Sequence, residues 1–380
     1  MRRADASLLL RTLELRGGGA IDPLEWTPAV LASILPVVRS EGAELWLYRR
    51  LEELGVLSDE AVAHLIRPTA RELAIRWMRV DEQTEAVIRE FTALGIPFAL
   101  IKGPARRAAA GTLYRYADAK SSSDVDVLVP EDRAEAAWHA LIEREYEVAA
   151  DAHRPRIHPH HFHLPPIWDD RRVAVEIHFS TDRWVPPREA WRRATVGADP
   201  VTWSGHDLRI PNATELVWHG LAHAFKQGPP LAYRLRSLLD AVAIMASGAV
   251  IRWDVIRERI DAGEVREQHW SDQSPVVPAA AVFAWLGASA ALAGAQIPED
   301  MSAHGPVSLE RLVRWRALLD GVRSPRAYYR LLEEGIRCEA GLVPTPSAPG
   351  APSLVRAQYL ANTGTARLSY IIWRGLTSPT

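Results

Sequence analysis

The segment from Ser123 to Val129 alternates acidic and apolar residues, and a repeat of two is typical of a β-strand. Successive strand side chains point to opposite faces, so Asp124, Asp126 and Leu128 share one face, and valines 125, 127 and 129 share the other. The valine face is predicted to be buried. Two carboxylates on a covered face would cost roughly several kcal/mol without a partner, and a divalent cation is a suitable partner. The alternative is a strand end whose acids face water.

A glycine turn with an excess of basic residues precedes this strand. Residues 97–101 are predicted to form a short strand that enters a turn at Gly103, before a helix-prone alanine and arginine run. Between positions 102 and 120 the one acid is Asp118, and the basic residues are Lys102, Arg106, Arg107, Arg115 and Lys120. Backbone amides at such a turn and nearby basic side chains can meet phosphate oxygens, so this stretch predicts a triphosphate site.

A second alternating segment follows at residues 173–178. Its apolar face carries Val173, Val175 and Ile177, and its other face carries Ala174, Glu176 and His178. Glu176 would be a third carboxylate, able to complete a metal site or to take the proton from an attacking hydroxyl. The alternative for Glu176 is an exposed position on an antiparallel sheet.

Together these segments resemble the nucleotidyltransferase superfamily typified by DNA polymerase beta. Within it, they resemble the large bacterial group called uncharacterised nucleotidyltransferases, in which an apolar strand ends in Leu-Lys-Gly and Ser-Asp-(Ile/Val)-Asp and Glu-x-His motifs follow. The matching segments here are Leu100 to Gly103, which includes Ile101, then Ser123 to Val129, and Glu176 with His178. The resemblance covers less than half of the chain, from about Ala86 to Arg257.

Three departures from the group's pattern concern the phosphate side of the site. The group's arginine before the first acid is Lys120 here, so a point charge replaces a guanidinium that can form two hydrogen bonds. The usual serine after the glycine is Pro104, which removes a hydroxyl contact. Twenty residues separate Gly103 from Asp124, a spacing usual for this group.

The resemblance implies an α+β fold, with a small mixed-sheet nucleotidyltransferase core flanked by N-terminal and C-terminal helical regions. The predicted regions are residues 1–90, 91–204 and 205–380. In the first, four leucines at positions 45, 47, 51 and 54 predict an apolar helix side, and Gly55 and Asp59 predict a helix stop and the next helix cap. Residues 201–215 are interpreted as a turn-rich passage with a cap at Asn212 or Thr214, and residues 341–353 as a proline-rich connection.

The resemblance also implies roles for individual residues. The catalytic residues, which would also bind the metal, are Asp124, Asp126 and Glu176. The nucleotide-binding residues are Lys102, Gly103, Arg106, Lys120 and Ser123. The residues expected at the acceptor or around the acids are His161, His163, His178, His219, His223 and Asp240. The expected cofactor is Mg²⁺, with Mn²⁺ as the alternative.

Two groups of histidines leave metal binding open. His219 and His223 are four residues apart, so on a helix they share a face as two zinc ligands would, but no glutamate of the zincin pattern lies between them. We favour structural or substrate-orienting roles for this pair. The segment 153–166 contains five histidines and is interpreted as one strand in which His161 and His163 share a face. Zinc, copper or nickel is its alternative occupant.

Charge and composition narrow the partners. The net charge is −2, with 45 basic and 47 acidic residues, so a long nucleic acid is not expected as a partner. The single cysteine, Cys338, excludes an intramolecular disulfide framework, and Arg11 and Glu14 interrupt the apolar start, so we expect a cytoplasmic protein. The uncharged segment from Ser274 to Ile297 is long enough to span a membrane, but its alanine and glycine content predicts a buried helix and no membrane partner.

The implied reaction moves a nucleoside monophosphate from a nucleoside triphosphate to an acceptor hydroxyl and releases pyrophosphate. The acceptor is expected to be a small molecule, a peptide or a protein. Two other classes stay open. One is a nucleotide-binding regulator or antitoxin-like partner without turnover, and the other is a histidine-metal hydrolase centred on residues 158–178. The intact set of three acids favours the enzyme over the regulator.

Overall fold

The structure is a computed structural model that describes residues 3–15, 21–120, 122–148, 162–169, 173–226, 232–267, 275–302, 309, 310 and 313. His161, Cys338 and the proline-rich segment 341–353 lie outside the described residues. The helices are α1 Arg3–Leu13, α2 Pro28–Glu41, α3 Glu44–Glu53, α4 Glu60–Ala93, α5 Lys102–Ala108, α6 Glu131–Ile142, α7 Pro187–Thr195, α8 Ala213–Lys226, α9 Leu235–Ser247, α10 Trp253–Asp261, α11 Ala279–Ala293 and α12 Glu299–Ser302. The strands are β1 Ala99–Leu100, β2 Asp124–Leu128, β3 Glu147–Val148, β4 Ile167–Trp168, β5 Ala174–His178, β6 Asp199–Trp203 and β7 His206–Ile210.

The N-terminal helices form where the sequence predicts an apolar side and end signals. Leucines 45, 47 and 51 of α3 are buried, and Leu54 packs against them half-buried. Gly55 has φ +71°, the left-handed conformation that ends a helix at little cost. Asp59 then caps α4, since its carboxylate accepts hydrogen bonds from the backbone amides of Ala61 and Val62. The predicted stop and cap are confirmed.

A five-stranded mixed sheet carries the predicted acids. Its strand order is β1, β2, β5, β4, β3. Strands β2 and β5 pair in parallel, with Asp126 opposite Glu176 and Leu128 opposite His178. The other pairs are antiparallel. Because paired residues in register point to the same side of a sheet, the two acidic faces coincide. The predicted α+β class is confirmed: a small mixed sheet is preceded and followed in the chain by helical regions.

Three local predictions needed correction. The strand predicted over residues 97–101 is only Ala99–Leu100, because helix α5 begins at Lys102. The histidine segment 153–166 was predicted to be one strand; its residues 153–161 lie outside the described residues, and in the described part His163 forms only an isolated bridge to His178 and β4 begins at Ile167. The passage interpreted as turns is the hairpin β6–β7.

The hairpin turn explains why the passage looked irregular. Ser204 and Gly205 both have positive φ, 49° and 79°, the geometry of the tightest hairpin connections. The predicted boundary between residues 204 and 205 falls in this turn. After it, the amide of Glu215 donates to Asn212 Oδ1, so Asn212 caps α8 as predicted.

The uncharged segment near residue 285 forms the buried helix α11. Its side chains are buried around most of the helix circumference. Trp285 Nε1 donates a hydrogen bond to the carbonyl oxygen of Ala232, at a distance of 2.8 Å. Ser289 is fully buried and donates to the Trp285 carbonyl. The predicted buried helix is confirmed. In the described part of the chain, no helix is both long enough and apolar enough to cross a membrane.

Candidate active site

The centre of the site is the carboxylate of Asp126, which is 1% exposed. Its Oδ1 accepts hydrogen bonds from Lys102 Nζ at 2.6 Å and from His178 Nε2 at 2.8 Å. Glu176 lies beside it, with Oε2 3.4 Å from His178 Nε2 and 3.8 Å from Lys102 Nζ. A carboxylate only accepts hydrogen bonds, so His178 Nε2 carries the proton. The parallel register of β2 and β5 brings Asp126, Glu176 and His178 together, and Lys102 joins them from the start of α5.

The acids have different electrostatic environments. Desolvation raises the pKa of Asp124, and the charges of Asp126 and Glu176 raise it further. For Asp126, Lys102 and His178 outweigh desolvation and hold the pKa well below its usual range. Desolvation raises the pKa of Glu176, but the hydrogen bond from His178 and the charges of His178 and Lys102 together lower it below its usual value. Three carboxylates thus face one lysine, and Asp124 carries the uncompensated negative charge.

This donor set fits a divalent cation. One ligand atom each from Asp126, Glu176 and His178 lie within 4.8 Å of one another, and among the described residues this group of three has such spacing; Asp124 is not part of it. Carboxylate oxygens are the ligands that Mg²⁺ prefers. The negative charge left at Asp124 would be neutralised by a cation better than by Lys102 alone. His219 and His223 belong to no such group within the described residues.

Lys102 lies next to the acids, and its backbone has a left-handed conformation. Its φ of 50° is unusual for a residue with a side chain and occurs where β1 passes into α5. Burial lowers its pKa, but the charges of Asp126 and Glu176 outweigh this and raise it. Sequence reasoning assigned Lys102 to phosphate, whereas its ammonium group here contacts the carboxylates.

Gly103 lets the side chain of Ser122 approach the backbone closely, and the sequence did not indicate this contact. Ser122 packs against it, and Ser122 Oγ donates to Asp124 Oδ1 over 3.1 Å. Ser122 is 7% exposed, whereas the predicted nucleotide-binding Ser123 is exposed. The serine that contacts the first acid is therefore Ser122, one position before the matched motif.

Replacing Gly103 by alanine is expected to lower the free energy of unfolding by about 1–3 kcal/mol, the usual cost of overpacking a tight site. The new Cβ would lie 2.5 Å from Ser122 Oγ and 3.0 Å from Ser122 Cβ. Urea titration measures the loss. Adding Ser122→Ala to the same chain should recover part of it, because the hydroxyl is gone. A Gly103→Ala protein as stable as the wild type would contradict the close approach.

Arg106, Lys120 and Asp240 form a separate, buried ion cluster. Arg106 Nη1 donates to Asp240 Oδ1 over 2.7 Å, and Lys120 Nζ donates to Asp240 Oδ2. The other Arg106 nitrogens donate to the carbonyl oxygens of Ala117 and Lys120. The two cations outweigh desolvation and lower the pKa of Asp240. The structure thus groups two predicted phosphate ligands with Asp240 on α9 rather than with the acids.

Replacing Asp240 by asparagine is expected to lower the free energy of unfolding by about 3 kcal/mol, because the buried Arg106 and the half-buried Lys120 lose their counter-charge. Denaturant titration at neutral pH checks this. Asp254→Asn is the matched control, since its pair with Arg252 is exposed, and it should leave the stability unchanged. If the two variants were equally stable, the cluster would contribute nothing to the fold.

The predicted histidines occupy two places around the acids. His163 lies with its ring centroid 5.2 Å from that of His178, and burial lowers its pKa to about 4. His219 and His223 share a face of α8. Burial, reinforced by the charge of Lys102, lowers the pKa of His219 to about 3 and that of His223 well below its usual value. These three imidazoles are neutral at pH 7.

Sequence reasoning missed Lys226, at the end of α8. Its Nζ lies 3.4 Å from the ring centroid of Phe162, and burial lowers its pKa to about 8. One signal could have found it. Only three of the 45 basic residues are lysines, and all three lie in this part of the fold, at positions 102, 120 and 226.

Comparison with known proteins adds two findings. The solution structure of the antibiotic-resistance factor ANT(2″)-Ia resembles part of this chain with 14% sequence identity and a TM-score of 0.35, over 49% of this chain and 95% of that chain. A similarity this low carries no argument about function. No curated protein matches the sequence at a significant level.

A family model described as uncharacterised nucleotidyltransferase matches residues 31–271. The matched interval is more than half of the 380-residue chain and contains Lys102, the three strand acids and the ion cluster at Asp240. The carboxylate arrangement on β2 and β5 and this match lead to the same conclusion. The chain belongs to the uncharacterised nucleotidyltransferase family and is a nucleotidyltransferase.

Proposed function

We propose that the protein transfers a nucleoside monophosphate from a nucleoside triphosphate to a hydroxyl group of a small molecule, a peptide or a protein, and releases pyrophosphate. The reaction depends on Mg²⁺, with Mn²⁺ as a substitute, and fits the cytoplasm expected from the sequence. The observation that carries the proposal is the parallel register that sets Asp126 opposite Glu176 on the face that also bears Asp124. Their excess negative charge suits a cation and its bound triphosphate.

Asp124, Asp126 and Glu176 would hold the metal. When bound there, Mg²⁺ supplies positive charge against the oxygens of the transferring phosphoryl group. His178 positions Asp126, since its Nε2 donates to the same carboxylate oxygen that Lys102 contacts. We propose that the Lys102 ammonium leaves this oxygen for a phosphate oxygen when nucleotide binds. Gly103 and Ser123, which flank the acids at the starts of α5 and β2, remain proposed nucleotide contacts.

Glu176 is better placed than Asp126 to accept a proton. Its side chain is 22% exposed, whereas Asp126 is 1% exposed and already accepts two hydrogen bonds. The acceptor hydroxyl gives its proton to the Glu176 carboxylate as its oxygen forms a bond to the α-phosphorus. The bond from the α-phosphorus to the bridging oxygen breaks, and pyrophosphate leaves with that electron pair.

Arg106 and Lys120 have a different proposed role from the one the sequence suggested. Both form ion pairs with Asp240, and Arg106 is only 4% exposed. Moving either cation to a phosphate would leave Asp240 buried without one of its partners. We therefore propose that this cluster holds α9 against the segment that precedes β2, and so positions Asp124, rather than binding the triphosphate.

Metal-dependent nucleotide binding tests the proposal without knowledge of the acceptor. Calorimetric titration with an NTP analogue that has a methylene group between the α- and β-phosphorus should show at least about tenfold tighter binding with Mg²⁺ than with a chelator, or about 1.4 kcal/mol. Equal affinity under both conditions would contradict the proposal. Zinc that persists through chelation and is lost on replacing the histidines at 160 and 161 would instead favour the hydrolase.

A further inference from the structure

A cleft lies beside the acids, between α7, α8 and the turn after β5. The cleft is open to solvent at its mouth. Its wall includes Trp218, His219, His223 and Lys226 of α8, and Asp182 of the turn. The roles assigned above to the carboxylates and Lys102 do not use this cleft.

Continuous contacts join the cleft to the catalytic carboxylates. Lys226 Nζ lies 3.4 Å from the centroid of the Phe162 ring, which lies 5.6 Å from the centroid of the His178 ring. His178 in turn donates to Asp126. Ile101, the residue before Lys102, also lines the cleft. The rings of Phe162 and His178 thus connect the Lys226 end of the cleft to Asp126, so a small molecule in the cleft would lie close to the side chains that contact the acids.

Most charges on the wall already neutralise one another. Arg193 Nη1 donates to Glu264 Oε2 over 2.7 Å and its Nε donates to Glu189 Oε1, also over 2.7 Å. Glu215 accepts two hydrogen bonds from Arg259. Each of these wall groups already has an oppositely charged partner, so none of them is a free site for a charged ligand.

Lys226 differs from these paired groups. Its ammonium group lies over the face of Phe162, and among the described residues no carboxylate lies within 4.0 Å of the ammonium nitrogen. Asp182 lowers the cost of its charge from a greater distance and accepts a hydrogen bond from the amide of Trp184 within its own turn. A half-buried ammonium group with no carboxylate within 4.0 Å is suited to an anionic ligand.

We propose that this cleft binds the acceptor, and that the acceptor is a small hydroxylated acid whose carboxylate or phosphate pairs with Lys226. The assignment of the bound molecule as acceptor rests on the proposed nucleotidyl transfer. The neutral imidazoles of His219 and His223 can donate to and accept from its hydroxyl groups, and Trp218 supplies an apolar surface. A polycationic acceptor is disfavoured, because Glu215 and Glu264 are already paired with arginines.

Titration calorimetry with three matched three-carbon probes tests the proposal on the full chain. The probes are glycerate, glycerol 3-phosphate and uncharged glycerol, and they separate carboxylate from phosphate recognition. The wild-type protein should bind at least one charged probe about tenfold or more tightly than glycerol, and Lys226→Gln should abolish this preference. Arg192→Gln is the matched control on α7, because Arg192 is exposed and outside the cleft.

The affinity for Mg²⁺ and the nucleotide analogue is measured on the same proteins. It should be unchanged in Lys226→Gln. A charged probe that binds no better than glycerol, or a Lys226→Gln variant that loses nucleotide affinity but not probe affinity, would overturn the proposal. If the wild-type protein discriminates the probes but binds no nucleotide, the proposed transfer fails and the anion site stands.

A second measurement does not depend on the folding of Lys226→Gln. Reductive methylation with ¹³C-formaldehyde keeps the positive charge of lysine and labels only three side chains, at positions 102, 120 and 226, and the chain's amino terminus. The signal missing from Lys226→Arg belongs to Lys226. Addition of the charged probe should move this signal, and glycerol should not. A Lys226 signal that no charged probe moves would overturn the proposal.

Discussion

Replacing Asp124 by asparagine is expected to lower turnover by about 10³-fold or more, because a lost metal-binding charge costs roughly 4 kcal/mol of transition-state stabilisation. The stability of the folded protein should not decrease. The pKa of Asp124 is raised by burial and by the charges of Asp126 and Glu176, so its ionised form is disfavoured in the folded protein. Above that raised pKa, ionised Asp124 destabilises the fold, and a neutral amide removes this penalty. The amide oxygen can still accept the hydrogen bond from Ser122.

Thermal unfolding separates the two effects. In chelator, Asp124→Asn should be as stable as the wild-type protein or more stable. In Mg²⁺, the wild-type protein should gain stability by binding the ion, and the variant should gain much less. Asp132→Asn, which changes an exposed aspartate at the start of α6, is the control and should behave as the wild type. A variant that keeps more than about a tenth of wild-type turnover would exclude Asp124 as a metal ligand.

Replacing Glu176 by glutamine is expected to lower turnover by about 100-fold or more and to leave nucleotide affinity within about threefold of the wild type. The amide preserves the size of the side chain on β5, so the pairing with β2 persists. It would remove the proposed proton acceptor for the incoming hydroxyl and one negative charge, and both losses would act mainly in the transition state. Asp124 and Asp126 remain to hold the ion that accompanies the triphosphate.

Single-turnover kinetics and nucleotide titration on the same preparation measure the two quantities. Asp124→Asn provides the contrast, since it should lose both turnover and Mg²⁺-dependent nucleotide affinity. If Glu176→Gln lost turnover and affinity by one common factor, or lost neither, Glu176 would not be the proton acceptor. Its position opposite Asp126 would then be structural.

The acid face could be predicted from the sequence because a strand has a strict repeat of two. The alternation at residues 123–129 and at residues 173–178 determined which side chains share a face, and pairing in register then placed Asp126 opposite Glu176. The cap at Asp59 was equally local, since a helix cap depends on residues two or three positions away. Features set by a few neighbouring residues were therefore predictable.

Features that depend on distant segments were not. The partner of Arg106 and Lys120 is Asp240, more than 100 residues away, and no local pattern distinguishes a buried counter-ion from a phosphate ligand. One local feature was also missed: the hairpin at residues 199–210, because Ser204 occupies a turn position that glycine or asparagine usually marks. The position of the Lys226 ammonium group over Phe162 depends on the packing of α8 beside the sheet, so the sequence alone did not indicate it.

The most direct test of nucleotidyl transfer follows the label from two forms of one triphosphate. The protein, Mg²⁺ and a panel of hydroxylated acids are incubated with α-labelled or γ-labelled NTP, and the products are separated. The α-label should appear on the acceptor, and the γ-label should appear only in pyrophosphate. Transfer of the γ-label to the acceptor, or its release as inorganic phosphate without an α-labelled product, would contradict nucleotidyl transfer by this site.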